Sequence, residues 1–297
     1  MDPQPGTWLT RRLGVRYPIV AAPMFLASNV ALLRAVADAG AIGVIPSLNF
    51  RTTAELAAGL ASLEDRPYGV NLILLNNPRL ADDLAVCREA RAPLVLTSLG
   101  DPAPVARQVR EWGGCVVCDV TTQRHALKAA QAGAEALVAV TAGAGGHGGT
   151  ASPLVLGPVI ARETGLPVLL AGGVARGSAV TAALALGYAG VYAGTRFLAT
   201  RESAAPDAHK QGIVAAGLED IEFTPEVSGH PANFLHSSLN AFREARHNGT
   251  PVKAWRDVFS AGQAAALVGE VPAAAEVVAT LMEEHARAVA SMTAFSW

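Results

Sequence analysis

Short apolar runs recur along the chain at 19–22, 42–45, 69–72, 94–97, 116–120, 137–141, 168–171 and 191–193. Runs of this length without polar alternation predict strands buried on both faces. Between them, polar residues return at helical spacing, as in "NVALLRAVADAG", "TTAELAAGLASLE", "NPRLADDLAVCREA" and "TTQRHALKAAQAG". The joints repeat as well. In "ADAGAIGVI", "AQAGAEALVAV" and "ALALGYAGVYAG" a helix end, a glycine and a short strand follow one another. Gly40, Gly133 and Gly187 are thereby predicted at the left-handed position that stops a helix.

Eight strand–helix units within about 200 residues predict an α/β protein, a (β/α)8 TIM barrel with its site at the C-terminal strand ends. A doubly wound open sheet is the alternative, and it needs a nucleotide loop near its first strand. After residue 200 the regularity stops, and turn signals mix with short apolar groups in "SAAPDAHKQGIVAAGLEDIEFTPEVSGHPANFLHSSLNAF". The expectation is a barrel over 1–200 and, over 201–297, a cap segment over the strand ends or an outer packing layer, with C-terminal helices running to Trp297 packed on the barrel. Both are read as parts of one compact unit, the second being too irregular for further barrel units.

Composition narrows the partners. The chain has 297 residues, 51% hydrophobic and 16% charged, enough to bury a large core. A formal net charge of −2 gives no general attraction for nucleic acid or anionic lipid, so a small molecule is the expected ligand. The N-terminal stretch has no apolar signal region and no run reaches membrane-spanning length, which predicts a soluble, cytoplasmic protein without a membrane partner. Three cysteines suit a reducing compartment. Cys115 and Cys118 form CxxC, but within a predicted strand residues three apart face opposite ways, so neither a redox nor a metal role is expected.

The strand ends carry the candidate chemistry: Pro23 and Met24 after the first, Asn71 in the third, Thr97 and Ser98 in the fourth, Asp119 in the fifth. "LLAGGVARG" and "VYAGTRFLAT" follow the seventh and eighth. Barrels often bind phosphate there, and Gly172, Gly173, Gly194 and Thr195 offer close-approach backbone and one hydroxyl.

The sixth strand runs into "TAGAGGHGGT", five glycines around His147. Such a loop loses entropy on ordering and calls for a ligand. It satisfies GxGxxG, yet a dinucleotide site also needs an acidic residue at the end of the next strand. Glu163 has roughly the spacing but precedes that strand, so the dinucleotide reading fails. His147 is left as a candidate base or anion donor. Of the other histidines, His230 and His236 could line an entrance, whereas His125, His209, His247 and His285 read as surface or helix positions. No pairing has metal-ligand spacing, so no metal is expected. There is no GxSxG nucleophile elbow. A phosphate site, a glycine wall and one histidine suit flavin mononucleotide, FMN, whose ring would supply redox chemistry.

Along most of its length the sequence resembles the nitronate monooxygenase family, formerly 2-nitropropane dioxygenases, which includes flavin-dependent enoyl-acyl-carrier-protein reductases. The likeness rests on "PIVAAPM", "YGVNLIL", "DVTTQRHALKAAQAGAEAL", "AGAGGHGGTASPLVL", "LLAGGVARG", "AGTRFLATRES", "SGHPANFL" and "SAGQ". It implies an FMN-bound barrel with Ala22, Pro23 and Met24 beside the flavin ring and Asn71 near its polar edge. Ala144, Gly145, Gly146 and Ala171 would line the flavin, and Gly172, Gly173, Gly194 and Thr195 would hold its phosphate. His147 would be the active-site histidine, taking a proton from a nitroalkane or binding a nitronate that O2 converts to carbonyl compound and nitrite.

Relatives often carry Gln-Gly and Glu where this chain has Val140-Thr141 and Gly143, and a lysine near the position of Asp119. The carboxylate would weaken attraction for an anion unless neutral or turned away, or it would contact the flavin's ribityl chain. An NAD(P)H-dependent reductase of an enoyl thioester or quinone and a non-catalytic flavin-binding subunit are the alternatives. A homodimer stays open.

Overall fold

The computed structural model describes residues 6–293, so Trp297 lies outside the described residues. Eight parallel strands close into a barrel: β1 (Ile19–Ala21), β2 (Ile42–Pro46), β3 (Tyr68–Ile73), β4 (Leu94–Ser98), β5 (Cys115–Val120), β6 (Ala136–Val140), β8 (Val168–Ala171) and β9 (Gly190–Ala193). Closure is made by β9 returning to β1, with Val191 opposite Ile19 and Ala193 opposite Ala21. All eight expected strands are present. The open-sheet alternative falls with the closure.

Strand residues are buried on both faces because they serve two cores. Val20, Val44, Leu96, Val117, Val138 and Leu169 fill the barrel interior. Val95, Val116, Leu137, Val168 and Leu170 pack outward against the helices. Cys115 lies in the inner cluster and Cys118 in the outer, as the alternation of a strand requires. Leu9, fully buried in helix Trp8–Leu13, joins the inner cluster, with Trp8 and Leu13 packed against it. The joint glycines take the left-handed backbone, with φ of +90° at Gly40, +98° at Gly133 and +85° at Gly187. Side-chain caps start the helices: Asn29 accepts from Leu32 N, Thr52 from Glu55 N and Thr122 from His125 N.

Two features depart from a simple repeat. Directly after β9 comes the one-turn helix Thr195–Leu198, and the ring of helices is completed by Ala274–Thr293, packed against Gly177–Ala185 and Val30–Asp38. This long helix buries Val277, Val278 and Leu281.

The second is a small antiparallel sheet in which β10 (Ile221–Thr224), β11 (Ala232–Leu235) and β7 (Gly146–His147) lie in the order β10-β11-β7. The segment after residue 200, expected to be too irregular for further barrel units, supplies two of these three strands. These strands are four residues or shorter, and their edge partner is a two-residue piece of the glycine run far away in sequence. A periodicity argument has too few positions to register them. The cap has its own core of Ala232, Phe234, Leu239, Phe242 and Val258.

Candidate functional site

The site forms where this sheet meets the C-terminal ends of the barrel strands. At β1 the chain turns through Ala22, Pro23 and Met24, where Met24 N donates to Ser28 Oγ at 2.9 Å and Asn49 Nδ2 to Met24 O at 3.1 Å. A Cβ on Gly194, after β9, would lie 3.7 Å from Ala22 Cβ and 4.0 Å from Met24 Cγ, so the first and last barrel strands meet here. At Gly172 (φ +119°) a Cβ would lie 2.5 Å from Thr141 Oγ1, whose hydroxyl is spent on Ala171 O at 2.7 Å. Gly173 (φ +76°) and Gly146 (φ +71°) both face open space.

The glycine run is held mainly by the cap. Asn233 Nδ2 donates to Ala144 O at 2.7 Å, Gly146 N to Ser260 Oγ at 2.7 Å, and Gln263 N to Gly143 O at 2.9 Å. Glycine is required where backbones touch: a Cβ on Gly262 would lie 2.6 Å from Gly145 N and press into Gly143 O. Gly145 thus packs against the 261–262 segment, and Gly146 is the glycine of the pair that opens outward. Thr195 Oγ1 accepts from Gly262 N at 2.9 Å, which leaves its own hydrogen to give.

His147 sits on β7, opposite Ala232 of β11. Its Nε2 lies 3.0 Å from Ser228 Oγ, and Ser228 gives its single hydrogen to His230 O at 3.2 Å. The contact to Ser228 must therefore be donated by Nε2–H, leaving the lone pair on Nδ1. Trp255 stands edge-on to the ring at 4.9 Å, and His230 at 5.7 Å. Burial, and secondarily the nearby His230, lower the imidazole pKa below its ordinary value, so the ring is neutral at pH 7.

On the other side of the mouth Asn71 Nδ2 donates to Ser98 Oγ at 2.9 Å and Ser98 donates to Asp119 Oδ2 at 2.7 Å. Asp119 Oδ1 is buried without a hydrogen-bond partner.

Two histidines lie elsewhere than the sequence suggests. His236, expected at the entrance, instead lies 3.2 Å from Glu222 in a network with Arg243. His209, read as a surface residue, is buried: it stacks on Phe259 at 4.6 Å, and its Nε2 lies 2.8 Å from Ser260 O. Burial takes its pKa down to about 4. An apolar imidazole stacked under the segment that carries Ser260 has no signature in a charged stretch such as "DAHKQG". Ser228, Asn233, Trp255, Ser260 and Gln263 were missed as individual residues, although "SGHPANFL" and "SAGQ" pointed to the segments that hold four of them. Tyr192, buried on β9 and facing the Asp119 charge, carried no motif.

A family model for nitronate monooxygenase matches residues 79–253. A Mycobacterium tuberculosis protein, named (3aS,4S,5R,7aS)-5-hydroxy-7a-methyl-1-oxo-octahydro-1H-indene-4-carboxyl-CoA dehydrogenase, is 33% identical over 78% of this chain and 67% of its own length. A nitronate monooxygenase of Pseudomonas aeruginosa is 31% identical over 93% of this chain and 98% of its own. Among solved structures, FabK from Thermotoga maritima superposes with a TM-score of 0.84 at 30% identity, covering 97% of this chain and 98% of that one. The chain belongs to the nitronate monooxygenase family, and with it to the flavin-dependent oxidoreductases. No helix among the described residues is long and apolar enough to cross a membrane.

Proposed function

We propose that the protein is an FMN-dependent nitronate monooxygenase that converts alkyl nitronates and O2 to a carbonyl compound and nitrite. The observation that carries this reading is His147: a neutral imidazole, oriented by Ser228, above a glycine wall at the barrel mouth. The residues around the mouth fit a flavin. Gly172 and Gly173 provide left-handed backbone with open space at Gly173, Thr195 retains a hydroxyl hydrogen, and an orphaned carboxyl oxygen lies at the floor. Gly172, Gly173, Gly194 and Thr195 would hold the phosphate. Ala22, Pro23, Met24, Ala144, Gly146 and Ala171 would line the ring, with Gly145 behind them and Asn71 and Asp119 at the polar edge. FMN, when bound, supplies an electron carrier between the organic substrate and oxygen. His147 takes a proton from a neutral nitroalkane at Nδ1, and the ring so protonated can donate that hydrogen to a nitronate oxygen.

Oxygen uptake by the purified protein with an alkyl nitronate and no nicotinamide is the expected result. Nicotinamide oxidation that requires an enoyl thioester or quinone, with no uptake on nitronate, contradicts it. Gly172→Ala adds a Cβ into Thr141 Oγ1 at a φ that L residues rarely adopt, at a cost of about 1–3 kcal/mol. It is expected to lower flavin content per chain severalfold in the purified protein, measured by absorbance. Wild-type content would remove these glycines from the cofactor site.

A second reading, a dehydrogenase or reductase of acyl thioesters, is favoured by the rim. Phe25, Leu26, Leu75 and Leu99 follow β1, β3 and β4 and are 43–54% exposed, an apolar side of the mouth suited to a bulky substrate body. The name of the M. tuberculosis relative, a carboxyl-CoA dehydrogenase, agrees with such a substrate.

A further inference from the structure

The hydrogen-bond chain at the barrel mouth has a fixed direction. Asn71 Nδ2 has two hydrogens and gives one to Leu96 O at 3.2 Å and the other to Ser98 Oγ at 2.9 Å. Ser98, having accepted, sends its only hydrogen to Asp119 Oδ2 at 2.7 Å. Oδ2 is thereby an acceptor, and any proton the carboxyl carries sits on Oδ1. That atom is buried and has no partner. A bare carboxylate oxygen left this way costs far more than a neutral hydroxyl.

Beyond the Ser98 hydrogen bond to Oδ2, no charged partner among the described residues compensates the carboxylate. Among the described residues no cation forms an ion pair with Asp119. Tyr192 faces it from β9, its phenol pushed well above the usual range by burial and then by the Asp119 charge. The Cys118 thiol, on the opposite face of β5, is raised to about 11, chiefly by burial. Asn71 on β3 and Ser98 on β4 are neutral. Burial lifts the Asp119 carboxyl to about 6, with the Ser98 hydrogen bond opposing.

We propose that Asp119 is a hydrogen-bond donor, presenting a proton on Oδ1 to an acceptor atom of the bound flavin. The inference rests on the flavin reading above. Its consequence is a proton linkage: a ligand that accepts from Oδ1 holds the acid protonated, so binding takes up a proton whenever the free carboxyl is ionised. Affinity is then highest below about pH 6 and weakens as pH rises, approaching tenfold per unit. Asp119→Asn preserves both contacts, with the amide oxygen accepting from Ser98 and the amide N–H standing in for Oδ1–H, and it cannot ionise.

The test titrates apoprotein with FMN, followed by fluorescence quenching between pH 5.5 and 8.5, for wild type and Asp119→Asn. The ratio of wild-type to variant Kd removes the titration of the FMN phosphate and of His147, which both proteins share. The ratio is expected to rise by about tenfold or more between pH 6 and 8. A flat or falling ratio, with flavin bound, overturns this inference alone. No binding by either protein at any pH overturns the flavin reading as well. A second measurement needs no variant: calorimetry of riboflavin binding at pH 7.5 in buffers of different ionisation heat. Uptake approaching about one proton supports the donor role, and zero uptake or release contradicts it.

Discussion

Replacing His147 with alanine is expected to lower kcat/KM for a neutral nitroalkane by about 10²- to 10⁴-fold while leaving flavin content unchanged. The ring proposed to carry the reaction is oriented from outside the barrel. Ser228 takes the Nε2 hydrogen because its own goes to His230 O, and Nδ1 is the nitrogen left to accept. The substrate decides how much is lost. A preformed nitronate has already shed its proton, so the same variant should lose less on it than on the parent nitroalkane.

The pH profile follows from the same geometry. Burial, then His230, depress the imidazole pKa below 6.5, so activity on a nitroalkane falls only when the pH drops below that ordinary value. Unchanged turnover with flavin bound would remove His147 from the chemistry and favour a non-catalytic flavin-binding role. Loss of flavin would make it a structural residue of the glycine loop.

Gly177→Ala is expected to destabilise the whole barrel by about 1–3 kcal/mol, seen as a fall of several degrees in Tm. Gly177 opens helix Gly177–Ala185 where Ala274–Thr293 crosses it, and a Cβ there would press into Leu281 O and His285 N. Those are backbone atoms of a helix and cannot swing aside. The close approach also lets Glu284 Oε2 accept from Gly177 N at 2.6 Å, capping a helix whose own N-cap residue, Arg176, makes no side-chain cap bond and instead pairs with Glu284 Oε1 at 3.3 Å. Gly269→Ala is the control, since nothing lies within 4 Å of its Cβ position. Equal Tm values for the two variants would show that the C-terminal helix is dispensable to the ring.

That helix also marks the limit of what the sequence disclosed. The eight strands were legible because each is buried on both faces and so lacks polar alternation, and the joint glycines were legible because a left-handed helix end favours glycine. Nothing local said that the last helix of the ring would arrive from residues 274–293, after the chain had crossed the mouth of the barrel. Chain order is what a periodicity argument reads, and here spatial order differs from it.

The site divides the same way. Gly172, Gly173, Gly194 and His147 announced themselves by type and position at strand ends. Ser228 and Ser260 did not, because one hydroxyl in a turn-rich segment looks like any other. Asp119 was visible as an acid at the end of the fifth strand. Its meaning depended on Asn71 and Ser98, two strands and one strand away, which fix the side of the carboxyl that can hold a proton.

The most direct test of the account is the visible absorption spectrum of the purified protein, followed by anaerobic addition of an alkyl nitronate. The account predicts oxidised-flavin bands that bleach on addition without nicotinamide and return when oxygen is admitted, with nitrite formed. Absence of flavin bands after reconstitution with FMN, or bands that persist with nitronate and bleach only with NAD(P)H, would contradict it.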